Sequence, residues 1–305
     1  MWVRRAPSSN GRMGNTMSMS TDPRALDPDL AYWLEMSEAL AYQDTYVAAA
    51  SRPGNPTGAA TSAVGGAVAF GLTAIDFGFF NRAVGLGTAQ PATEANVEAA
   101  SQFYLDLGVA QSVIHVAPGA QPAELAPWLN ERGYVKGARW VKMWRDLDEV
   151  PTSEPSAESA PASALRIEQV DASLAAVWGE VCLTAFEMPG SVGDILTSTI
   201  GRPGWIHYLG FDGETPVSTA ATRVADGVAW LGYGATLEEQ RGRGWQTAMF
   251  LRRLRDARDL GCRLAVTETG EETEKDPVNH SYRNMVRVGF QLAYARQNWV
   301  RIPTG

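Results

Sequence analysis

The sequence lacks several features that would settle a protein class at once. It has two cysteines in 305 residues, Cys182 and Cys262, with no C-x-x-C spacing. A disulfide framework and a zinc ribbon are therefore not expected, and a reducing cytosol fits. No run of about 18 apolar residues occurs, the length a helix needs to cross a bilayer. The longest apolar stretch, 59–80, is interrupted by Gly65, Gly66, Gly71 and Asp76. Arg4 and Arg5 are followed by no apolar segment, so a secretory leader is not expected. There is no basic stripe: the net charge is −8, and both halves of the chain are acidic. Such a chain is a poor candidate for nucleic-acid binding. The expectation is a cytoplasmic protein, monomer or homodimer, with no membrane, nucleic-acid or metal partner.

Apolar residues make up 45% of the chain, enough for a sizeable core. The length suits one large or two ordinary domains. Residues 151–164, PTSEPSAESAPASA, hold no large apolar side chain and cannot offset the entropy of ordering. They read as a linker at mid-chain. Residues 1–25 read as a disordered tail, leaving one domain over 26–150 and another over 165–305.

The two halves carry similar punctuation. In the second, a helix over 245–260 ends at Gly261, a strand follows over 263–269, and a helix over 280–288 ends at Gly289-Phe290. A closing strand runs over 291–302. In the first, a helix over 93–107 ends at Gly108, a strand follows over 111–116, and a helix over 122–132 ends at Gly133-Tyr134. A strand over 135–147 closes that half. Earlier, 26–50 is helical by the spacing of Leu30, Trp33, Leu34 and Leu40, and 63–70, 72–80 and 82–86 read as strands. The repeated order suggests an internal duplication.

The most informative stretch is GYGATLEEQRGRGWQTA, residues 232–248. A strand over 228–235 runs into an acidic loop, then Arg241-Gly242-Arg243-Gly244-Trp245-Gln246 opens a helix. The first N–H groups of a helix lack backbone partners and favour negative charge. Gly242 and Gly244 let backbone approach an anion closely, and Arg241 and Arg243 add charged donors. No G-x-x-x-x-G-K-[ST] occurs, and no G-x-G-x-x-G follows the first strand of a βαβ unit. A nucleotide-triphosphate loop and a dinucleotide fold are both disfavoured. The bland alternative is a turn with solvated arginines.

The stretch resembles motif A of the GNAT superfamily of acyl-CoA N-acyltransferases, [QR]-x-x-G-x-[GA], which falls on Arg241, Gly244 and Gln246. Gln246 departs from the usual Gly or Ala. The resemblance covers about residues 165–302: a strand over 165–170, helices over 172–186 and 190–200, a meander over 205–211, 217–224 and 228–235, then the motif helix. It implies an α/β fold of two GNAT-like units, each a mixed, mostly antiparallel sheet flanked by helices. The first unit is degenerate: its loop 87–92 has no arginine, and Pro91 removes a donor.

The resemblance further implies acetyl-CoA as co-substrate and direct transfer to an amine, more readily of a small molecule. The alternatives are a protein or peptide N-acetyltransferase and a non-catalytic acyl-CoA-binding protein. The strands 228–235 and 263–269 would splay apart. Pantetheine would pair with Tyr233, Gly234 and Ala235, and the diphosphate would lie on Arg241, Gly242, Arg243, Gly244, Trp245 and Gln246. Ser281 and Asn284 would bond the pantetheine arm or act as simple caps. The superfamily's usual acid, a tyrosine four residues before the helix-ending Gly, is replaced by Met285, which has no proton to give. Tyr282 and Tyr294 are the displaced candidates. Glu268 is the candidate base if it continues the apolar face of Leu264 and Val266; otherwise it is solvated. His207 and Tyr233 are weaker candidates. Trp178, Phe186, Trp205 and Trp230 read as core or as substrate lining.

Overall fold

The computed structural model describes residues 27–75, 77–148, 165–274 and 277–302. The expected tail and linker lie outside the described residues. The first half runs α1 (Pro28–Ala50), β1 (Ala60–Val64), β2 (Ala67–Gly71), β3 (Arg82–Val84), α2 (Glu94–Leu107), β4 (Ser112–Val116), α3 (Leu125–Glu131) and β5 (Val135–Asp146). The second runs β6 (Leu165–Gln169), α4 (Ala175–Ala185), α5 (Gly193–Thr197), β7 (Trp205–Asp212), β8 (Thr215–Ala225) and β9 (Val228–Thr236). It continues through α6 (Trp245–Asp259), β10 (Leu264–Gly270), α7 (His280–Arg287) and β11 (Gln291–Arg301).

The eleven strands among the described residues form one sheet, in the order β1-β2-β3-β4-β11-β5-β10-β9-β8-β7-β6. Most neighbours are antiparallel; β3/β4 and β9/β10 are parallel. The two halves run together at the centre, where their closing strands cross over. β5, from the first half, lies antiparallel to β10 from Leu264↔Asp146 to Gly270↔Trp140. β11, from the second half, pairs with β4 through Gln297↔Val116 to Arg301↔Ser112. β5 and β11 also pair with each other. The ladder of each half is thus completed by the other.

The faces of this sheet are covered differently. On one, Met36, Tyr42 and Tyr46 of α1 join Trp178 of α4, Leu196 of α5 and the strand residues Phe70, Trp205 and Trp230 in a single apolar cluster. On the other, Phe250 and Leu254 of α6 and Met285 of α7 cover Val141, Met143, Leu231 and Ala265. Val97 and Tyr104 of α2 and Leu129 of α3 close the first half over Ala69 and Ile114. Fully burying each such large apolar side chain stabilises the fold by roughly 1.5–3 kcal/mol. α1 packs against strands of both halves, β2 and β3 as well as β9 and β10.

Four local expectations are corrected. Residues 63–70 are not one strand: β1 and β2 form a hairpin whose two-residue turn is Gly65-Gly66, both at positive φ. Such turns need left-handed backbone, which glycine supplies without strain. Residues 72–80 are not a strand: Gly78–Phe80 is a turn of 3-10 helix. The helix expected over 122–132 starts later, at Leu125, and the one over 190–200 is a 3-10 turn followed by the short α5.

Candidate functional site

The site starts at a fault in β9. Ala221 pairs with Gly232 and Thr219 with Ala235, so three steps on β9 face two on β8. The extra residue makes a bulge, and Tyr233 takes a left-handed φ of 52° within it. For a residue with a Cβ that conformation costs about 1–2 kcal/mol. Hydrogen bonds hold it in place. Thr219 Oγ1 donates to the Tyr233 carbonyl at 3.2 Å, and Ser218 Oγ to that of Ala235 at 2.8 Å. Arg253 Nη1 donates to the carbonyls of Gly232 at 3.2 Å and Ala221 at 3.3 Å. The Arg253 side chain is buried on α6, and burial pushes its guanidinium down to about 10. Its position four residues after Met249 and three after Phe250 is the signal that it lies on the buried face.

Beside the bulge the sheet opens. β9 and β10 pair only from Val228↔Leu264 to Trp230↔Val266. Beyond that, Thr267 Oγ1 reaches across to the Leu231 carbonyl at 2.9 Å in place of the ladder. The splay anticipated between these strands is present, and Tyr233, Gly234 and Ala235 border it.

The chain leaves β9 and enters α6 through the glycine-rich turn. Gly242 and Gly244 have φ of 78° and 88°, and a Cβ at either would meet nothing within 4 Å. Gly244 is the N-cap of α6, and no side chain caps that helix. Trp245 is buried beneath the turn. Arg241 donates to the carbonyls of Thr236 and Ala185, each at 3.4 Å, and Arg243 pairs with Asp212 at 3.2 Å. This leaves an open, uncapped helix start flanked by two guanidinium groups. Gln246, the departure from the motif, ties α6 to α7: its Nε2 donates to Ser281 Oγ at 2.8 Å and its Oε1 accepts from Asn284 Nδ2 at 2.6 Å. Three candidate cofactor residues therefore meet through one amide.

The catalytic candidates divide between the two faces. Glu268 continues the face of Leu264 and Val266, and its side chain is 6% exposed. Lys142 Nζ donates to its Oε2 at 3.0 Å, and Trp230 Nε1 lies 3.2 Å from both oxygens. Burial, then the charge of Glu38, push its carboxyl above the ordinary value, against Lys142 and Arg296. Tyr294 lies on the same face, buried, and its hydroxyl donates to Glu35 Oε1 at 2.7 Å. Burial and Glu35 raise its pKa well above that of a free phenol. Tyr282, half-buried, packs on the opposite face beside Met285, which fills the core under α7. The structure thus brings Glu268 and Tyr294 to one face and Tyr282 to the other.

His207 lies between the rings of Trp178 and Trp205, with Nε2 3.2 Å from Thr199 Oγ1, and burial pushes its pKa down to about 3. It is neutral at physiological pH and belongs to the core. Trp178, Trp205 and Trp230 are buried, whereas Phe186 is exposed. Phe186 lines a cavity of about 60 Å³ with Tyr42, Tyr46, Phe80, Met188 and Tyr233. The pocket runs from the bulge to α1 of the first half, and no motif in either half pointed to it.

No family model matches the sequence, and no curated protein matches it. Solved structures do. A GCN5-related N-acetyltransferase from Kribbella flavida is 20% identical, covers 86% of this chain and 96% of its own, and superposes with a TM-score of 0.57. One from Sphaerobacter thermophilus is 16% identical, with 92% and 96% covered and a TM-score of 0.54. A tandem GNAT protein from the clavulanic acid biosynthesis pathway is 14% identical, with 89% and 98% covered and a TM-score of 0.52. The matches span both halves, and no helix among the described residues is long and apolar enough to cross a membrane. With its splayed strands, its bulge and its open helix start, the chain has the fold of the GCN5-related N-acetyltransferases.

Proposed function

We propose that the chain is an acetyl-CoA-dependent N-acetyltransferase acting on the amine of a small molecule. The observation that carries this reading is the open start of α6 beside the splay. Gly242 and Gly244 hold left-handed backbone there with space in front of it, and the helix has no cap of its own. Unpartnered N–H groups at a helix start suit a diphosphate. The residues fit the group. Arg241 to Gln246 would hold the phosphates, Tyr233, Gly234 and Ala235 the pantetheine amides, and Ser281 and Asn284 the edge of the arm. The units would be 26–150, without a cradle, and 165–305, with one.

Acetyl-CoA supplies an activated acetyl thioester. The bulge at Tyr233 would orient the carbonyl, and the aromatic pocket would bring the amine to it with little water around. The amine nitrogen bonds to the acetyl carbon as the carbon–sulfur bond breaks. Glu268 takes the amine proton through Oε1, the oxygen that Lys142 leaves free. Tyr282, on the helix that also carries Ser281 and Asn284, is the better proton donor to the leaving sulfur. The Tyr294 proton is already committed to Glu35. A narrow aromatic recess between Tyr42, Tyr46 and Tyr233 suits a small acceptor better than a protein chain.

Thiol release from acetyl-CoA across an amine panel, with mass detection of the products, tests the reading. Turnover with at least one small amine is expected. Tyr282→Phe should lower it by more than about tenfold, since loss of a general acid commonly costs 10²–10⁴-fold. Binding of acetyl-CoA without turnover on any amine or peptide would make the protein a carrier or sensor instead.

A further inference from the structure

The candidate base is held from the other half of the chain. Along one face of the sheet, under α1, runs a row of buried charged side chains: Arg82 on β3, Arg296 on β11, Lys142 on β5 and Glu268 on β10. Glu35 and Glu38 of α1 lie over them. Glu38 accepts from Arg296 Nη1 at 2.7 Å, Lys142 Nζ at 2.8 Å and Arg82 Nη1 at 3.3 Å. Arg296 Nη1 also donates to Glu35 at 2.8 Å. Lys142 and Glu38 are fully buried. One ammonium thus lies between two carboxyls, and it bonds Glu268 as well as Glu38.

The two carboxyls are unequal. Although burial opposes it, the charges of Arg296, Lys142 and Arg82 hold Glu38 well below the ordinary range. Among the described residues Glu268 has only Lys142 as an ion-pair partner, and it faces the charge of Glu38 as well. Of these two, Glu268 is the carboxyl that takes a proton more readily. The row lies where the closing strands cross, because Lys142 is opposite Glu268 in the β5/β10 register and Tyr294 is opposite Lys142 in the β11/β5 register.

We propose that Lys142, carried by the first half, is a positioning residue for the candidate base in the second, and that with Glu38 it sets the charge around that base. Lys142 fixes Oε2, and Oε1 is left with the weaker donor Trp230 Nε1 at 3.2 Å. Without it, burial and Glu38 would drive the carboxyl toward its neutral form. The first half, which has no cradle of its own, would then supply part of the working site. This rests on the acetyltransferase reading for its meaning in catalysis, not for the pairing itself.

Every group facing Glu268 enters the test. From β5 there is Lys142, from β11 Arg296, from α1 Glu38 and Tyr42, and from β9 the uncharged Trp230. α7 packs on the other face, where Arg283 pairs with Glu272. Turnover should rise with pH as Glu268 loses its proton. Lys142→Met removes the attraction, so the rise moves to higher pH and activity falls about tenfold more at the acid end than at the alkaline end. Glu38→Gln removes the repulsion, so the rise moves the opposite way. Lys142→Arg should restore most of the wild-type profile. Opposite shifts from two buried neighbours cannot come from simple loss of folding. Coincident profiles in folded variants would overturn the proposal.

A second measurement needs no turnover. In the whole protein labelled at glutamate carboxyl carbons, the signal lost in Glu268→Gln is that of Glu268. Its titration should lie above the ordinary carboxylate range. In Glu38→Gln that titration should move to lower pH; a Glu268 signal that Glu38→Gln leaves in place would overturn the proposal even if Lys142→Met did not fold. A raised titration with no turnover on any amine would leave the pairing standing and defeat the acetyltransferase reading instead.

Discussion

The two halves share an order of elements, yet the same point in each is built differently. In the second half, the turn before α6 is open at Gly244, and no side chain caps the helix. In the first, the turn before α2 is filled. A Cβ at Gly87 would lie 2.5 Å from the Gln121 carbonyl, and the Gln121 N–H donates to Gly87 O. α2 is sealed by a capping box: Asn96 N–H donates to Thr93 Oγ1, and Thr93 N–H to Asn96 Oδ1. The donors that one half keeps free, the other spends on itself. A helix start binds an anion only where the protein leaves it unsatisfied, so a shared topology carries no shared activity.

The strongest test separates the halves physically. β10 is flanked by β5 of the first half, and β11 pairs with β4 and β5. Residues 165–305 alone would leave β10 with an open edge and β11 with no partner strand. They should show no cooperative unfolding and no acetyl-CoA binding, and adding residues 1–164 should restore both. An isolated second half that melts cooperatively and binds like the whole chain would mean that the crossing is dispensable.

A smaller effect comes from the two turns. Gly244→Asp puts a negative charge and a strained left-handed side chain where the phosphates would lie. Acetyl-CoA affinity by calorimetry should fall more than about tenfold, 1.4 kcal/mol, while the strain lowers the melting temperature by a few degrees at most. Gly87→Asp should do the reverse, lowering the melting temperature through its clash with Gln121 and leaving affinity within threefold. One acetyl-CoA per chain is expected. Two per chain, or equal effects from both substitutions on affinity, would erase the difference between the halves.

Much of this was legible from the residues. The glycine before α6, the glycines that end α2 and α6, and the apolar face shared by Leu264, Val266 and Glu268 all follow local rules of period and backbone sign. The hairpin at Gly65-Gly66 was legible too, but a continuous alanine- and valine-rich run hid it, because no alternation marked where one strand stopped. The crossing of β5 and β11 could not be read. It depends on which edges meet in space, and either strand has the composition to close either half. The buried row was half visible. Glu35 and Glu38 stand three apart among Leu34, Met36 and Ala39, and Lys142 stands between Val141 and Met143. Charges in such places need partners, but sequence does not say that the partners lie across the joint.

The finest distinction is the cap itself. If capping is what silences the first half, removing it should cost folding and change nothing else. Thr93→Ala deletes the oxygen that accepts from Asn96 N–H and leaves the Gln121 loop in place. A lost N-cap typically costs about 0.5–2 kcal/mol. In a chain of this size that lowers the melting temperature by a few degrees at most. Acetyl-CoA stoichiometry and affinity should stay as in the wild type, because the turn remains filled by backbone even when its donors are freed. Appearance of a second binding site in Thr93→Ala would show that the cap alone separated the two helix starts. No thermal change at all would show that α2 is held by Val97, Ala100 and Tyr104 in the core, with the box contributing nothing measurable.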